Sequence, residues 1–439
     1  MKSRLLIILA AAALLVPQVA RAEKHTKTTY FCCPFCAAPS LTLSEQLTQA
    51  DAAVLVKWVD GKTPTEKSAG TTTYSIVELA RGPQESLKKD DKLTVPRYRA
   101  GKKDDLFLLF GTKDKEIDWS SPLEVTEVTY QYIKQAPSPE SPTTKRLEYF
   151  LKFLEYPDQL VSNDAYGEFA NAPYEDIVKI KDKMDHTKIR KWIVSKETSP
   201  TRMGLYGLLL GLCGDDEDAA VMEKKIEEQT QDFRLGIDGL IFGYLLLTGD
   251  KGLDRIDRSK FQDKKAPFSE TYAGMQALRQ MWTYGNNRIS KERMRQSMRE
   301  LLDRPELADL VVADLARWED WTVQDRLMKL YGEGEYSLPS IKRAIVRYYL
   351  TAAKVQPSKT DDTKTEGSST AEPKPAELPA SAVQARANLE KLREKDAKTV
   401  KEADDSSSCN SPLIHSWNPH DHATSGLSDA RLDDCGRVL

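Results

Sequence analysis

The sequence lacks an apolar run long enough to cross a bilayer. Its best candidate, residues 5–16, holds about a dozen residues, whereas a spanning helix needs roughly 20. Lys2 and Arg4 precede this run, and Ala20-Arg21-Ala22 follows it in the small-x-small pattern that signal peptidase reads. We therefore expect residues 1–22 to be a signal peptide cleaved after Ala22, and a secreted or periplasmic mature chain without a membrane span.

A strong charge of either sign is also missing. The chain has 64 Lys and Arg against 67 Asp and Glu, which gives a formal net charge of −3. Nucleic-acid binding depends on basic surfaces that neutralise phosphates, so this balance argues against a nucleic-acid partner. The sequence contains no Gly-rich phosphate loop, Ser/His/Asp arrangement or dinucleotide fingerprint. We expect no cofactor, and no motif convincingly marks the chain as an enzyme.

Cysteine is scarce, with six residues in 439. In an exported protein, cysteines that find partners tend to oxidise to disulfides. Three of them crowd near the N-terminus, one is isolated in the middle, and two lie near the C-terminus, where a loop-closing pair is the simplest arrangement. Sequence does not determine the connectivity. The disulfide candidates are Cys32, Cys33, Cys36, Cys213, Cys409 and Cys435.

Cys33-Pro34-Phe35-Cys36 matches the C-x-x-C motif of thiol oxidoreductases, in which a helix N-terminus lowers the pKa of the first thiol. Their fold needs a strand before the motif, yet only ten mature residues, 23–32, precede Cys33. Ala37 stands where c-type haem attachment requires a histidine. Disulfides that pin the N-terminal segment are therefore favoured, and a thiol-redox or redox-sensing role for Cys33 and Cys36 is the alternative.

Alternating apolar residues predict a small β domain in the first third of the chain. Val54, Val56 and Trp58 share one face of the first predicted strand. Five short strands without an intervening helix suggest a small closed or partly open barrel, preceded by a helix at 40–50. The strands are predicted at residues 52–59, 71–79, 92–98, 106–110 and 123–133.

Helical periodicity replaces alternation after a Pro- and Ser-rich break at 135–145, and it continues to residue 351. Arg202-Met-Gly-Leu-Tyr-Gly-Leu208 matches Arg234-Leu-Gly-Ile-Asp-Gly-Leu240 at an offset of 32, and each run leads to a Gly-Asp turn. Helix pairs stack at such a spacing. This region resembles HEAT-like α-solenoids, and the resemblance implies a surface that binds proteins rather than a catalytic site.

The N-terminal part resembles the netrin-like (NTR) module, an OB-type barrel found in tissue inhibitors of metalloproteinases. The opening cysteine cluster, the segment 50–54, Thr73 to Gly82 and Leu106 to Gly111 carry this resemblance. Those inhibitors begin with a cysteine that chelates the target's zinc, whereas Glu23 is expected to be first here. Protease inhibition is therefore not implied, and binding of another macromolecule by a barrel face or loop stays open.

Residues 352–439 are rich in Lys, Glu, Asp, Ser, Thr, Pro and Ala, and hold little that could be buried. A composition of this kind predicts disorder. The pattern at 383–398 allows a charged, marginal helix within this tail. The sequence thus predicts an α+β multidomain chain: a signal peptide at 1–22, a disulfide-linked barrel at 23–134, a linker at 135–145, helical repeats at 146–351 and a disordered tail at 352–439.

Clusters of acidic residues raise a third hypothesis, a glycan-processing enzyme. Glu319, Asp320 and Asp325 lie beside Trp318 and Trp321, and glycosidases pair carboxylates in this way. A second cluster, residues 215–218, follows Gly214 and is better explained as helix capping. No histidine spacing matches a known zinc motif, so we expect no metal site. The five histidines are His25, His186, His415, His420 and His422.

The leading hypothesis is a non-catalytic secreted or periplasmic interaction or scaffold protein. It would bind a protein partner through its barrel or its helical-repeat surface. The thiol-redox role of Cys33 and Cys36 is second, and glycan processing is third.

Overall fold

The computed structural model describes residues 41–228, 233–356 and 378–408. The chain is α+β, with an antiparallel sheet of six strands followed by helices. Within the described ranges, no helix combines the length and the apolar character needed to cross a membrane. The strands are β1 (Ala52–Lys62), β2 (Thr71–Arg81), β3 (Lys92–Val95), β4 (Leu106–Lys113), β5 (Ile117–Trp119) and β6 (Leu123–Glu124).

The sheet is ordered β3-β2-β1-β4-β5, and β6 pairs with β4. Val54 of β1 lies between Leu79 of β2 and Leu109 of β4. Because successive side chains alternate between faces, Val54 and Val56 contribute to a core on one face, and Leu55 and Leu108 join the core of the helices on the other. The predicted alternation in β1 is therefore confirmed.

Side chains link the two outer strands of this sheet. Arg97, just after β3, donates from its Nη2 to the Trp119 carbonyl of β5 at 3.0 Å and from its Nη1 to Ser121 Oγ at 3.2 Å. Arg99 pairs with Glu124 of β6 at 3.2 Å. These bonds join the ends of the strand order, although β3 and β5 form no backbone ladder in the described chain.

The helices are α1 (Leu43–Gln49), α2 (Glu127–Gln135), α3 (Thr143–Phe150), α4 (Gln159–Asn171), α5 (Tyr174–Lys179), α6 (His186–Val194), α7 (Met203–Cys213), α8 (Asp216–Glu227), α9 (Ile237–Thr248), α10 (Asp250–Ile256), α11 (Phe268–Tyr284), α12 (Lys291–Glu300), α13 (Ala308–Arg317), α14 (Gln324–Leu330), α15 (Pro339–Ala352) and α16 (Ala380–Ser408). The predicted helix at 40–50 is confirmed as α1, which Thr42 opens with a capping box to Glu45.

The strand predicted at 123–133 is wrong beyond residue 124. Thr126 accepts a hydrogen bond from the Thr129 backbone N–H and caps α2, which buries Thr129, Tyr130, Tyr132 and Ile133. These β-branched and aromatic residues favour strands by propensity. Their burial against the helical half decides the outcome instead, since tertiary packing overrides a propensity of this size.

Helices α1, α2 and α4 meet at two buried carboxylates. Asp164 of α4 accepts from the Leu43 backbone N–H at 2.6 Å and from the Tyr132 hydroxyl at 2.7 Å. Glu168, one turn further, pairs with Arg146 of α3. Burial raises the pKa of Glu168 to about 7. Helix α1 is thus fixed to the helical half by polar contacts, and one apolar core continues past the break at 135–145.

The two matching segments of the sequence form the closely packed helices α7 and α9. Gly207 faces the Leu240 backbone, Gly211 faces Gly243, and Gly239 faces Gly204, so that a Cβ atom at each glycine would overlap the other helix. Every glycine of α7 has a counterpart at the equivalent position of the second segment. The glycines therefore allow the two helix backbones to contact each other directly.

The prediction of disorder from residue 352 onward is wrong for residues 378–408, although the charged helix allowed at 383–398 does lie within the observed helix. This segment forms α16, which packs against α15 and α14. Ala382, Ala385, Leu389 and Leu392 are buried along one side of it. Within the described part of α16, only six buried residues are apolar and three of them are alanine, which explains why composition alone predicted disorder. The rest of that tail, residues 357–377 and 409–439, lies outside the described residues.

Candidate functional site

Among the six cysteines, Cys213 alone lies within the described residues, and its thiol is not reactive. It ends α7 and has no disulfide partner within the described ranges. Burial raises its pKa to about 12, with a further contribution from the charges of Asp218 and Asp185. A thiol with such a pKa stays protonated and is a poor nucleophile. The other candidates, Cys32, Cys33, Cys36, Cys409 and Cys435, lie outside the described residues, so disulfide formation and the redox role stay predictions.

The acidic cluster after Gly214 caps α8, as its sequence indicates. Asp215 and Asp218 form a capping box, in which each side chain accepts a hydrogen bond from the other's backbone N–H at 3.0 Å. His186 Nδ1 lies 2.7 Å from Asp218 Oδ2, and the ligand atoms of His186, Asp215 and Asp218 fall within 4.8 Å of one another. Arg190 Nε, however, lies 2.7 Å from Asp218 Oδ1 and neutralises the buried carboxylate. The buried carboxylate is therefore paired with side chains of the protein itself. The remaining histidines, His25, His415, His420 and His422, lie outside the described residues.

The carboxylates and tryptophans near residue 320 hold the helices together. Asp320 is buried, and it accepts hydrogen bonds from Arg299 Nε at 2.6 Å and from the Thr322 hydroxyl at 2.6 Å. Trp318 stacks on Trp282 with ring centroids 4.2 Å apart, and Trp321 packs edge-on against Tyr348.

The other two carboxylates of that cluster are exposed. Glu319 is exposed at a positive φ of 55°, and Asp325 accepts a hydrogen bond from Gln384 at 2.8 Å. The glycan-processing hypothesis gains no support from these contacts, because the buried carboxylate is already paired and Trp318 has another tryptophan on its face.

Two shallow grooves flank the break between α2 and α3. One, of about 270 Å³, lies between α1, the end of β2 and residues 136–140. The other, of about 400 Å³, is lined by Pro137, Tyr149 and Lys183 among others. Ligand pockets typically measure roughly 300–1,000 Å³ and converge polar groups on the ligand. Neither groove brings together a nucleophile, a base and an oxyanion donor.

The covered face of α14 and α15 is the most distinctive surface of the helical half. We call it the α15 face; it comprises Gln324, Tyr331, Lys342, Arg343 and Ala353. Helix α16 lies on it antiparallel to α15: Arg386, near the start of α16, donates to the Ala353 carbonyl at 3.2 Å, whereas Glu402, near its end, lies 3.8 Å from Arg343.

Asp396 is the main polar anchor of α16 on the α15 face. Its carboxylate lies 2.5 Å from Lys342 Nζ and accepts from the Tyr331 hydroxyl at 3.0 Å. It also accepts from the Thr399 backbone N–H, and with φ −153° and ψ 62° it interrupts α16 and caps its second segment. Burial alone would raise the pKa of Asp396, but Lys342, Thr399 and Tyr331 lower it to about 2.

Sequence reasoning missed this site, although it carries a readable signal. The residues of α16 that pack against the α15 face recur at helical spacing, and they are Ala382, Ala385, Leu389, Leu392, Asp396, Val400 and Ala403. Alanine gives a weak apolar signal in a charged segment. Pairing of Asp396 with Lys342 joins two separate helices, so it could not be inferred from spacing.

Comparison with protein-family models, with curated proteins and with solved structures finds no match for this chain.

Proposed function

We propose that this protein is an exported, non-catalytic interaction protein that binds a protein partner through the helical end formed by α14 and α15. The observation that carries this proposal is the α15 face, an apolar and basic helix-binding surface at the end of the helical half. Helix α16 of the same chain occupies this face, and a long connection joins α15 to α16. A surface that accepts one amphipathic helix has the chemistry to accept another.

The pairing of buried charges supports a non-catalytic role. Arg279 and Asp314 pair at 2.5 Å, and Lys260 and Glu270 at 2.6 Å, all four side chains being buried. Catalytic groups are instead aimed at a substrate in a cleft and have a pKa tuned to their task. In the described ranges, the buried ionic groups named here serve to join helices.

The proposal also includes two details of the architecture, a closed barrel in the sheet domain and a helical repeat in the helical half. The strand order and the Arg97 bridge support an OB-type barrel that side chains close between β3 and β5. The two matching segments support a HEAT-like repeat because they form the helices α7 and α9, which pack directly on each other, and each segment opens on an arginine that donates to a backbone carbonyl earlier in the chain. Arg202 donates to the Leu154 carbonyl at 2.8 Å and Arg234 to the Ile226 carbonyl at 3.0 Å.

Site-specific photo-cross-linking in cells tests the proposed surface. A photoreactive residue at Leu338, exposed at the start of α15, should cross-link the partner. The same residue at Val128, comparably exposed on α2, is the matched control. The partner identified by cross-linking is then purified on its own, and its binding to the full chain is measured by calorimetry. Binding that Lys342→Glu weakens supports the proposal; cross-links at Val128 alone, or no binding by the purified protein, would contradict it.

Export has its own test. The signal-peptide pattern predicts that the mature chain recovered from the periplasm or the medium begins at Glu23, which mass spectrometry of its N-terminal peptide can establish. The same preparation allows the state of Cys32, Cys33 and Cys36 to be mapped. Disulfides that resist reduction would support a structural role for these cysteines, and ready exchange with glutathione would support the redox alternative.

A further inference from the structure

The connection between α15 and α16 is far longer than their packing requires. The end of α15 lies beside the first turns of α16, since Ala353 accepts from Arg386. Antiparallel helix neighbours are usually joined by about 2–8 residues. Here the connection spans the whole range 353–379. The stretch 357–377 contains no aromatic or large aliphatic residue, so its composition offers nothing for a hydrophobic core.

The contacts of α16 suit reversible docking. Half of the apolar residues in its buried stripe are alanines, each of which gains little by burial compared with the roughly 1.5–3 kcal/mol of a larger aliphatic side chain such as Leu389 or Leu392. The side-chain nitrogen of Asn388 is buried without a hydrogen-bond partner among the described residues. Such a group regains its hydration when the helix leaves, which offsets part of the docking energy.

We infer that α16 is an autoinhibitory latch: it occupies the α15 face in place of the partner and is displaced when the partner binds. This inference rests on the proposed function. The partner's binding element is an amphipathic helix with apolar residues at the spacing of Ala382, Ala385 and Leu389. It also carries a carboxylate where Asp396 meets Lys342 and Tyr331, because the α15 face supplies Lys342 and Arg343 as cations.

Tethering makes α16 a concentration-independent competitor. A linked segment has an effective concentration on the order of millimolar, so a latch whose own Kd for the face is about 10–100 μM weakens partner binding roughly ten- to hundred-fold relative to an unlatched chain. The latch thus sets a threshold of partner concentration below which the α15 face stays closed.

A peptide of residues 378–408 is the probe, because its sequence is known to fit the face. We compare its binding by fluorescence anisotropy to the full mature chain and to two matched variants, Ala385→Glu and Ala387→Glu. Ala385 lies on the buried side of α16, whereas Ala387 lies on the exposed side of the same helix. We expect Ala385→Glu to bind the peptide at least ten-fold more tightly than the unmodified chain, and Ala387→Glu to behave as the unmodified chain. A peptide carrying Asp396→Lys should lose the binding.

Equal binding to all three chains, or none to Ala385→Glu, would overturn the latch. Hydrogen exchange guards against misfolding: α7 and α9 must stay protected in Ala385→Glu while α16 loses its protection. The partner found by cross-linking separates the two proposals. If it binds the unmodified chain and Ala385→Glu with equal affinity, the proposed function stands and the latch fails. If Ala385→Glu binds the peptide but no partner is found, the competition is intact and the proposed function fails.

Discussion

Two packed helix pairs in this molecule, the parallel pair α7 and α9 and the antiparallel pair α15 and α16, are built in opposite ways. In α7 and α9, glycines let the backbones contact each other, and the surrounding residues, such as Leu208 and Phe242, are fully buried. In α15 and α16, α16 contributes three alanines, two leucines and a valine together with charged anchors, and a long connection precedes it. The first pair can separate only if the core opens. Leu389, Leu392 and Val400 of α16 join the same core, and the latch requires that the second pair separate while the rest of that core stays intact.

The strongest disturbance of the first pair is a methyl group at Gly243. A Cβ there would overlap the Gly207 backbone, which cannot move without shifting all of α7. We expect Gly243→Ala to lower the free energy of unfolding by at least about 3 kcal/mol, more than ordinary overpacking. Gly167→Ala in α4 is the control, since its Cβ would meet only Thr42 Cγ2 at 3.5 Å. Urea denaturation should show the control unchanged or up to about 1 kcal/mol more stable; a similar loss in both variants would refute the close-packing account.

Solution pH should affect the body of the molecule through Glu168. Its folded pKa of about 7 lies above the ordinary value near 4.3, so the unfolded chain binds fewer protons between these pH values and stability falls as the pH rises through this window. We expect a loss of up to about 3 kcal/mol between pH 4 and 8 that Glu168→Gln removes. Thermal denaturation across this range tests it, with the exposed Glu127→Gln as control. An unchanged pH slope in Glu168→Gln would exclude this origin.

Asp320 and Glu319 are neighbours with opposite expected effects. Removing the charge of buried Asp320 leaves Arg299 without its closest partner, so Asp320→Asn should cost about 1–3 kcal/mol. Glu319→Gln, at an exposed position, should fall within about 0.5 kcal/mol of the unmodified chain. Chemical denaturation of both variants checks this. A catalytic pair would give the reverse pattern, with intact stability in both and loss of hydrolysis.

The smallest expected effect is that of Asp396→Asn on the stability of α16. Asp396→Asn removes the pairing with Lys342, and we expect amides of α16 to exchange roughly two- to five-fold faster while α7 and α9 are unaffected. Because the folded pKa of about 2 lies below the ordinary value near 3.9, this stabilisation is complete above pH 4 and is lost as the pH falls toward 2. The variant and the unmodified chain should therefore converge at low pH. A constant difference down to pH 2 would assign the effect to another group.

Sequence patterns predicted the first pair better than the second. The range 203–213 and its repeat were readable because apolar residues and recurrent glycines occupy consecutive helical turns. A strand was wrongly predicted at 127–133 because Tyr130 and Ile133 favour strands by local propensity. Their burial against the helical half makes this segment a helix. Helix α16 was under-predicted because alanine becomes informative only when its neighbour is known. Contacts such as that of Asp164 with Leu43, far away in the chain, depend on the tertiary fold alone.

Native-state hydrogen exchange of the full mature chain across a series of low denaturant concentrations tests the central claim most directly. We predict that residues 382–403 exchange through a local opening that depends little on denaturant, while amides of α7 and α9 exchange only through global unfolding. If α16 instead exchanges with the same free energy and the same denaturant dependence as α7 and α9, it is an integral part of the core and the latch is contradicted.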